Sequence, residues 1–397
     1  MRLRWRQGAG PAHVVLRASV PGARWDRPGN ESAAVQVWLD GAFHQDVVLV
    51  HGEEEAAYER LLGELPAGPH EVEVRPHPLA PPRSSARLTD LAAGPVDPRD
   101  EGEALAWRHA PWIFTRAESD PWESLWTDTP LLLFYRLATD VLEYQCVFSN
   151  EDGGTDTRGL LAQWGRTTDI EWVLRVDRCG GPTTIQGRHH RTEVHRETSL
   201  LGRRTLQVVG LHGMVGSEPP SGAMRSLFLP RFRWDDADPR EAVMDAHPWT
   251  YRLAALEMAR EGKLRPETAA DDPTPGDLRD YLYAQVLRAD KGAPQTGIEI
   301  RAHLADGRIF SSTHGDPRQA CRRPCPFSTT VKLPRGASPV AIDAVACPAP
   351  GAGAVRLQLH KAFHLGTDFL PLPPFAAGPP VAITAAAPAV RLWPGGG

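Results

Sequence analysis

A chain of 397 residues, 41% hydrophobic and 23% charged, has room for two to three domains with their own cores and sits in the ordinary globular range. Its formal charge of -5 excludes the broad basic footprint of a nucleic-acid-binding protein, and Met1-Arg-Leu-Arg-Trp-Arg6 reads as a solvated basic end. No apolar run approaches the ~20 residues that a membrane-spanning helix needs.

Residues 12–78 alternate apolar and polar positions with period two, at Val14/Leu16, Val35-x-Val37-x-Leu39, Val47 to Val50 and Val72-x-Val74. Turn signals at Pro21-Gly22, Asp40-Gly41 and Pro66-Ala-Gly68 separate these runs, which predicts a small β-sandwich over residues 1–100. The phrase Leu65-Pro-Ala-Gly-Pro-His-Glu-Val-Glu-Val74 resembles the last hairpin of immunoglobulin- or fibronectin-like accessory domains. A Pro-, Ala- and Asp-rich stretch from Pro78 to Glu103 reads as a linker.

The central region, 104–265, is predicted to run as strands over 131–137, 142–148, 170–176, 183–187, 205–211 and 224–229. A helix near 249–262 follows, started by Asp245-Ala-His-Pro-Trp-Thr250, with Leu253, Leu256 and Ala259 at helical spacing. Residues 266–276 read as a second linker. A further small sandwich over 277–397 is expected from the apolar runs at 281–287, 298–304, 328–333, 340–345 and 355–359, with the tail after Phe369 extended along the surface. The fold class is therefore all-β: a central β-sandwich-like domain flanked by two smaller immunoglobulin- or fibronectin-like sandwiches.

Acidic residues concentrate where two central strands meet a turn. Phe148-Ser-Asn-Glu-Asp-Gly-Gly-Thr-Asp156 carries Glu151, Asp152 and Asp156; Gly165-Arg-Thr-Thr-Asp-Ile-Glu-Trp172 carries Asp169 and Glu171. Asp169 and Glu171 are two residues apart, so a strand sends their side chains to one face. Carboxylates gathered there require a positive partner, either a divalent cation or an arginine such as Arg158, Arg166 or Arg175. Downstream, His189, Glu193 and His195 are separated by even numbers of residues, which on a strand gives them one face and His190 the other. No Gly-x-Ser-x-Gly elbow, P-loop or Gly-x-Gly-x-x-Gly occurs. The aromatic set Trp107, Trp112, Trp122 and Trp126 suits either a sugar-stacking platform or core packing.

The order His109-Ala-Pro-Trp-Ile-Phe-Thr115, Asp128-Thr-Pro-Leu-Leu-Leu-Phe-Tyr135, Leu142-Glu-Tyr-Gln-Cys-Val-Phe148 and Gly165-x-x-x-Asp169-x-Glu171 resembles the Vps62-like proteins. More remotely, it is similar to the necrosis-inducing, NPP1-type proteins. The second group carries Gly-His-Arg-His-Asp-Trp-Glu on a β-sandwich that holds a divalent cation in an acidic pocket. The resemblance implies that Asp169 and Glu171 match the acidic pair, and that Asp152 or Glu151 falls at another ligand position. It also implies that His212, in Val208-Val-Gly-Leu-His-Gly213, stands at a downstream histidine element. Arg166 and Thr168 occupy the places of the motif's two histidines, and Ile170 that of its tryptophan. The expected metal set is thus Asp152, Asp169, Glu171 and His212, holding Ca or Mg, with Glu151, Asp156, Arg166 and His190 as ligand-binding neighbours.

Five cysteines cannot all pair. A disulfide between Cys347 and either Cys321 or Cys325 is expected, with a zinc site or free thiols as alternatives. The start of the chain has no apolar signal-peptide core, so the protein is expected to be cytoplasmic or exported with its signal removed. Twelve tryptophans, the sequon Asn30-Glu-Ser32 and the expected disulfide favour export. The functional expectation is a non-catalytic binding protein with a cation-held or arginine-paired acidic pocket for a glycan or lipid headgroup. The alternatives are a metal-assisted hydrolase of glycans or phosphoesters, with His212 or His190 as base, and a structural assembly protein.

Overall fold

The computed structural model describes residues 1–78, 85–116, 128–150, 156–210, 213–216, 223–291, 296–348 and 353–394. The chain is mostly β and divides into two compact units: Met1–Gly154 with Asp169–Arg233, and Thr155–Thr168 with Trp234–Gly397.

The first unit contains strands β1 (Arg2–Gln7), β2 (Gly10–Ser19), β3 (Ala34–Leu39), β4 (Ala42–Val48), β5 (Ala56–Leu65), β6 (Gly68–Pro76) and β7 (Arg87–Pro95). They form a four-stranded sheet, β1-β6-β3-β4, and a three-stranded sheet, β5-β2-β7. The period-two alternation explains this arrangement: Val14, Leu16, Val35, Val37, Val72 and Val74 are all buried, and the residues between them, such as Val15, Gln36 and Glu73, are more exposed. The opening arginines are solvent-exposed, as expected, but they stand on a paired strand. β1 pairs along β6, where Arg2 lies 3.2 Å from Glu73 and Arg4 2.5 Å from Glu71.

Most of the stretch expected as a linker, from Arg87 on, forms regular structure. β7 lies along β2, anchored by Leu91, its one buried side chain, and helix α1 (Glu101–His109) follows. Asp100 caps α1 by accepting from the Glu103 N–H at 2.7 Å. An edge strand held by backbone bonds and a single apolar contact leaves little alternation to read, and that is why composition misled here.

The rest of this unit has strands β8 (Trp112–Phe114), β9 (Pro130–Leu137), β10 (Val141–Phe148), β11 (Ile170–Asp177), β12 (Thr184–Gly187), β13 (Arg191–Val194), β14 (Ser199–Leu200), β15 (Arg203–Val209), β16 (Gly213–Val215) and β17 (Arg225–Ser226). One sheet has the order β13-β12-β11-β10-β9 and the other β14-β15-β8-β17, with β16 beside β15. A shared core runs from Leu61 and Val96 through Trp107, Trp112, Tyr144 and Leu174 to Phe228. Trp107 and Trp112 are therefore core residues, while Trp122 and Trp126 fall outside the described residues. Arg225 ties the two parts of the unit together: its N–H donates to Asp46 at 2.8 Å and its guanidinium to the carbonyls of Phe43 and His44, each at 2.7 Å.

The second unit has helices α2 (Thr157–Trp164), α3 (Ala242–Ala246) and α4 (Trp249–Arg260), the last matching the expected helix. Its strands are β18 (Tyr281–Lys291), β19 (Gly297–His303), β20 (Ile309–Ser311), β21 (Phe327–Lys332), β22 (Ala341–Cys347), β23 (Ala354–Phe363), β24 (Val381–Ile383) and β25 (Ala389–Pro394). They form the sheets β21-β18-β23-β24 and β20-β19-β22-β25 around a core that includes Val286, Ile300, Phe327 and Leu359. The Pro- and Ala-rich tail is not merely draped over the surface, because β24 and β25 each close one sheet edge. No cysteine pair forms: Cys146, Cys179, Cys321, Cys325 and Cys347 are all free. Cys321 is committed to the core, and the Cys347 thiol points to Glu299 at 3.7 Å.

Helix α2 ends on Gly165, whose φ of 59° is left-handed. The hydroxyls of Thr329 and Thr330 on β21 donate to the carbonyls of Ala162 and Leu161 at 2.6 and 3.0 Å, satisfying that helix end. A methyl on Gly165 would stand 2.7 Å from the Thr329 nitrogen. Gly165→Ala is therefore expected to lower stability by more than ~1 kcal/mol, read as a reduced denaturant midpoint at unchanged slope.

Asp46 gives a second expectation. Burial pushes its carboxyl up to about 6, against the Arg225 N–H bond, and His77 Nε2 lies 3.4 Å away. A raised folded-state pKa contributes stability that is present below the unfolded value of ~3.9 and lost as pH rises through about 6. Asp46→Asn is thus expected to stabilise the protein at pH 8, by at most about 3 kcal/mol, and to have little effect at pH 4. Thermal midpoints across that range check it; an equal shift at both pH values would show that the charge is not responsible.

Candidate functional site at the polar end of the five-stranded sheet

One face of the β13-β12-β11-β10-β9 sheet carries the core through Leu142, Tyr144, Cys146 and Phe148 of β10 and Leu174 and Val176 of β11. Register then aligns Arg136, Glu143 and Arg175 on three neighbouring strands. Glu143 is buried and accepts from Arg175 Nε at 2.5 Å, Arg136 Nη2 at 3.3 Å and Gln145 Nε2 at 2.7 Å. The Arg175 guanidinium also lies 3.8 Å over the Trp172 ring. Burial by itself would raise the Glu143 carboxyl, but the two arginines hold it below its ordinary value.

Polar side chains enter the interior where β9 begins and β10 ends. Ser149 Oγ accepts from the Thr129 N–H at 3.0 Å, and Asn150 Oδ1 accepts from the Asp128 N–H at 3.1 Å. Asp128 has a left-handed φ of 52°, and its Oδ2 accepts from Arg116 Nη2 at 3.0 Å. The side chains of this pair are only 10% and 5% exposed, so it is a buried ion pair. Asn150 is fully buried, and its Nδ2 has no partner among the described residues.

Asp169 arrives beside them at the start of β11, buried, with its carbonyl accepting from the Phe148 N–H at 2.9 Å. Burial first, then the carboxylates of Asp128 and Asp169, push the Cys146 thiol well up, so both negative charges act on one buried sulfur. Glu171 lies opposite Cys146 in the register. Its Oε2 accepts from Gln186 Nε2 at 2.6 Å, and its Oε1 is 3.8 Å from Nδ1 of the exposed His190.

The other expected residues are placed differently. Asp156 and Arg166 belong to the second unit. Asp156 caps α2, accepting from the Gly159 N–H at 2.6 Å. Arg166 is buried and donates from Nη1 to Glu241 at 3.0 Å and from Nε to the Thr168 carbonyl at 3.0 Å. Glu151, Asp152 and His212 lie outside the described residues. Among the described residues, no three His, Cys, Asp or Glu side chains are grouped to hold a metal ion.

The even-numbered separation of His189, Glu193 and His195 does not give one strand face. Residues 188–190 form a turn with His189 at φ 57° and His190 at φ 58°, and β13 begins only at Arg191. His195 is buried, donating from Nε2 to the Thr205 carbonyl at 3.0 Å and accepting on Nδ1 from the Glu197 N–H at 2.9 Å.

Sequence reasoning missed Arg116, Asp128, Glu143, Asn150 and Gln186. Asp128 and Asn150 carried a signal, being turn-type residues at the start of one predicted strand and the end of the next. No known family model matches the sequence, and no curated protein matches it.

Removing Glu143 leaves two arginines facing each other across β10. Glu143→Gln is expected to cost about 2–3 kcal/mol, below the ~3–5 kcal/mol of a fully buried pair because Arg175 is 37% exposed. The depressed carboxyl contributes stability that is present above its unfolded value and lost as pH falls through the folded one. The deficit of the variant should therefore be full at pH 7 and shrink in acid, as read by chemical denaturation at each pH.

Proposed function

We propose that this is a non-catalytic binding protein whose ligand seats at the polar end of the five-stranded sheet, in an arginine-paired acidic pocket. The observation that carries this reading is the buried Asn150 amide, with its spare Nδ2 donor, beside the Arg116–Asp128 pair. An unmet buried donor costs ~1–3 kcal/mol, and a ligand acceptor removes that cost. The surrounding groups alternate in kind: Arg116, Asn150 and Gln186 donate, and Asp128, Asp169 and Glu171 accept. A hydroxyl both donates and accepts, so adjacent hydroxyls of a glycan, or of a polyol lipid headgroup, match such a set.

The more remote, NPP1-type resemblance at Asp169 and Glu171 points to the same sheet end and adds a divalent cation, Ca or Mg, as a second form of the reading. The joint action of Asp128 and Asp169 on the Cys146 thiol favours it, because a negative site attracts a cation.

Glycan-array screening followed by calorimetry, with and without Ca and Mg, tests both forms. Asn150→Ala is expected to weaken the best-binding glycan at least tenfold while circular dichroism stays unchanged. A folded variant with undiminished binding, or a wild type that binds neither glycans nor inositol-headgroup vesicles, would overturn the pocket. For the cation form, Ca or Mg should raise the wild-type melting midpoint and not that of Asp169→Asn; equal responses would exclude Asp169 as a ligand.

A further inference from the structure

A cavity of about 430 Å3 opens in the first unit, and none of its lining residues belongs to the sheet-end cluster. This volume falls within the ~300–1,000 Å3 typical of small-molecule sites. Its walls are chemically divided. Leu39, Leu65 and Leu201 supply accessible apolar surface beside the buried Leu62, Leu227 and Trp112, and Arg108 and Arg203 supply positive charge. His44 also lines it but is neutral, since burial, reinforced by Arg225, lowers its pKa to about 4. Its ring is already used: Nε2 donates to the Leu62 carbonyl at 3.2 Å, and Nδ1 accepts from the Gln45 amide at 3.2 Å.

Arg203 is the informative group. Its Nη1 donates to the carbonyls of Trp107, Arg108 and Ala110 at 2.6, 3.0 and 3.3 Å, which fixes the guanidinium at the end of α1. No carboxylate among the described residues lies within ion-pair distance of it, in contrast to Arg116 and Arg166. Nε and Nη2 instead flank Gly63 on the cavity wall, where an added methyl would be 3.8 and 3.9 Å from them. Glu64 is the acidic residue of the lining and is solvent-exposed, so it neutralises the wall weakly. The nearby His109 senses the same field: burial and then Arg204, Arg108 and Arg203 lower its proton affinity.

A half-buried guanidinium with no carboxylate at ion-pair distance among the described residues, set against apolar side chains, is the recognition chemistry of an amphipathic anion. We propose that this cavity binds a small apolar monoanion, a carboxylate whose head meets Arg203 and Arg108 and whose hydrocarbon tail lies on Leu39, Leu65 and Leu201. The head gains a charge-assisted hydrogen bond from the planar fork, and the tail leaves water.

Isothermal titration calorimetry on the full chain, with octanoate, 1-octanol and acetate as probes, tests the two halves of the claim separately. Octanoate is expected to bind saturably at one site, at least tenfold tighter than 1-octanol, and acetate to give no saturable heat. Arg203→Gln should lose octanoate binding but also releases three carbonyls, so its folding is checked by circular dichroism. Arg108→Glu and Leu201→Glu alter exposed positions at the same wall and avoid that ambiguity; Leu201 is 69% exposed. Each is expected to weaken octanoate at least fivefold at an unchanged melting midpoint. No saturable octanoate binding, equal affinity for octanoate and 1-octanol, or unchanged affinity in both folded variants would overturn the proposal.

Discussion

A carboxylate carried into a protein interior has to be met by positive charge or hydrogen-bond donors, and in this chain arginine repeatedly meets it. Arg116 pairs with Asp128, Arg136 and Arg175 hold Glu143, Arg166 pairs with Glu241, and Arg260 with Glu257. The guanidinium suits this task because it stays charged when desolvated and offers several donors in one plane. Such pairs are weak evidence for net stability, since desolvation offsets much of their attraction, but breaking one leaves an uncompensated charge. They therefore act as constraints on the arrangement, forbidding alternatives more than they stabilise the one observed.

That constraint is clearest in the five-stranded sheet. A one-residue slip between β10 and either neighbour would turn Glu143 away from Arg136 and Arg175 and move Leu142, Tyr144 and Cys146 out of the core. Apolar alternation and charge pairing thus select the same register. At the strand ends a second device takes over, in which Ser149 and Asn150 accept from the N–H groups of Thr129 and Asp128 where the ladder stops.

These two levels were unequally visible in the sequence. Strands with a buried face announce themselves through period two, so the runs around Val14, Val35, Leu142 and Ile298 became β2, β3, β10 and β19. The edge strands β1, β7, β24 and β25 did not, because backbone pairing supplies much of what holds them and backbone leaves no mark on side-chain pattern. Helix α2 was also hidden: it is eight residues long, and its cap residue, Asp156, ends an acidic stretch read as either a solvated turn or a ligand loop. Asp169 and Glu171 do come where a predicted strand, β11, begins, but the groups around them were not legible. Arg166 is three residues from Asp169 in sequence and is committed to Glu241, 75 residues away. Proximity along the chain suggested one pairing where the fold makes another.

The residue type at Asn150 bears on what the sheet end is for. Its Oδ1 caps the Asp128 N–H, a task that aspartate or serine also performs. Aspartate would add negative charge to a region where Asp128 and Asp169 already act on the same thiol. Serine would cap with a hydroxyl, as Ser149 does for Thr129, without carrying a second fixed donor. Asparagine caps without charge and keeps an amide N–H2 that no described residue uses. Electrostatics accounts for the absence of aspartate, but it does not account for choosing asparagine over serine. The spare donor, set among acceptors with Arg116 alongside, is what a capping role alone leaves unexplained and what a hydroxyl-bearing ligand would use.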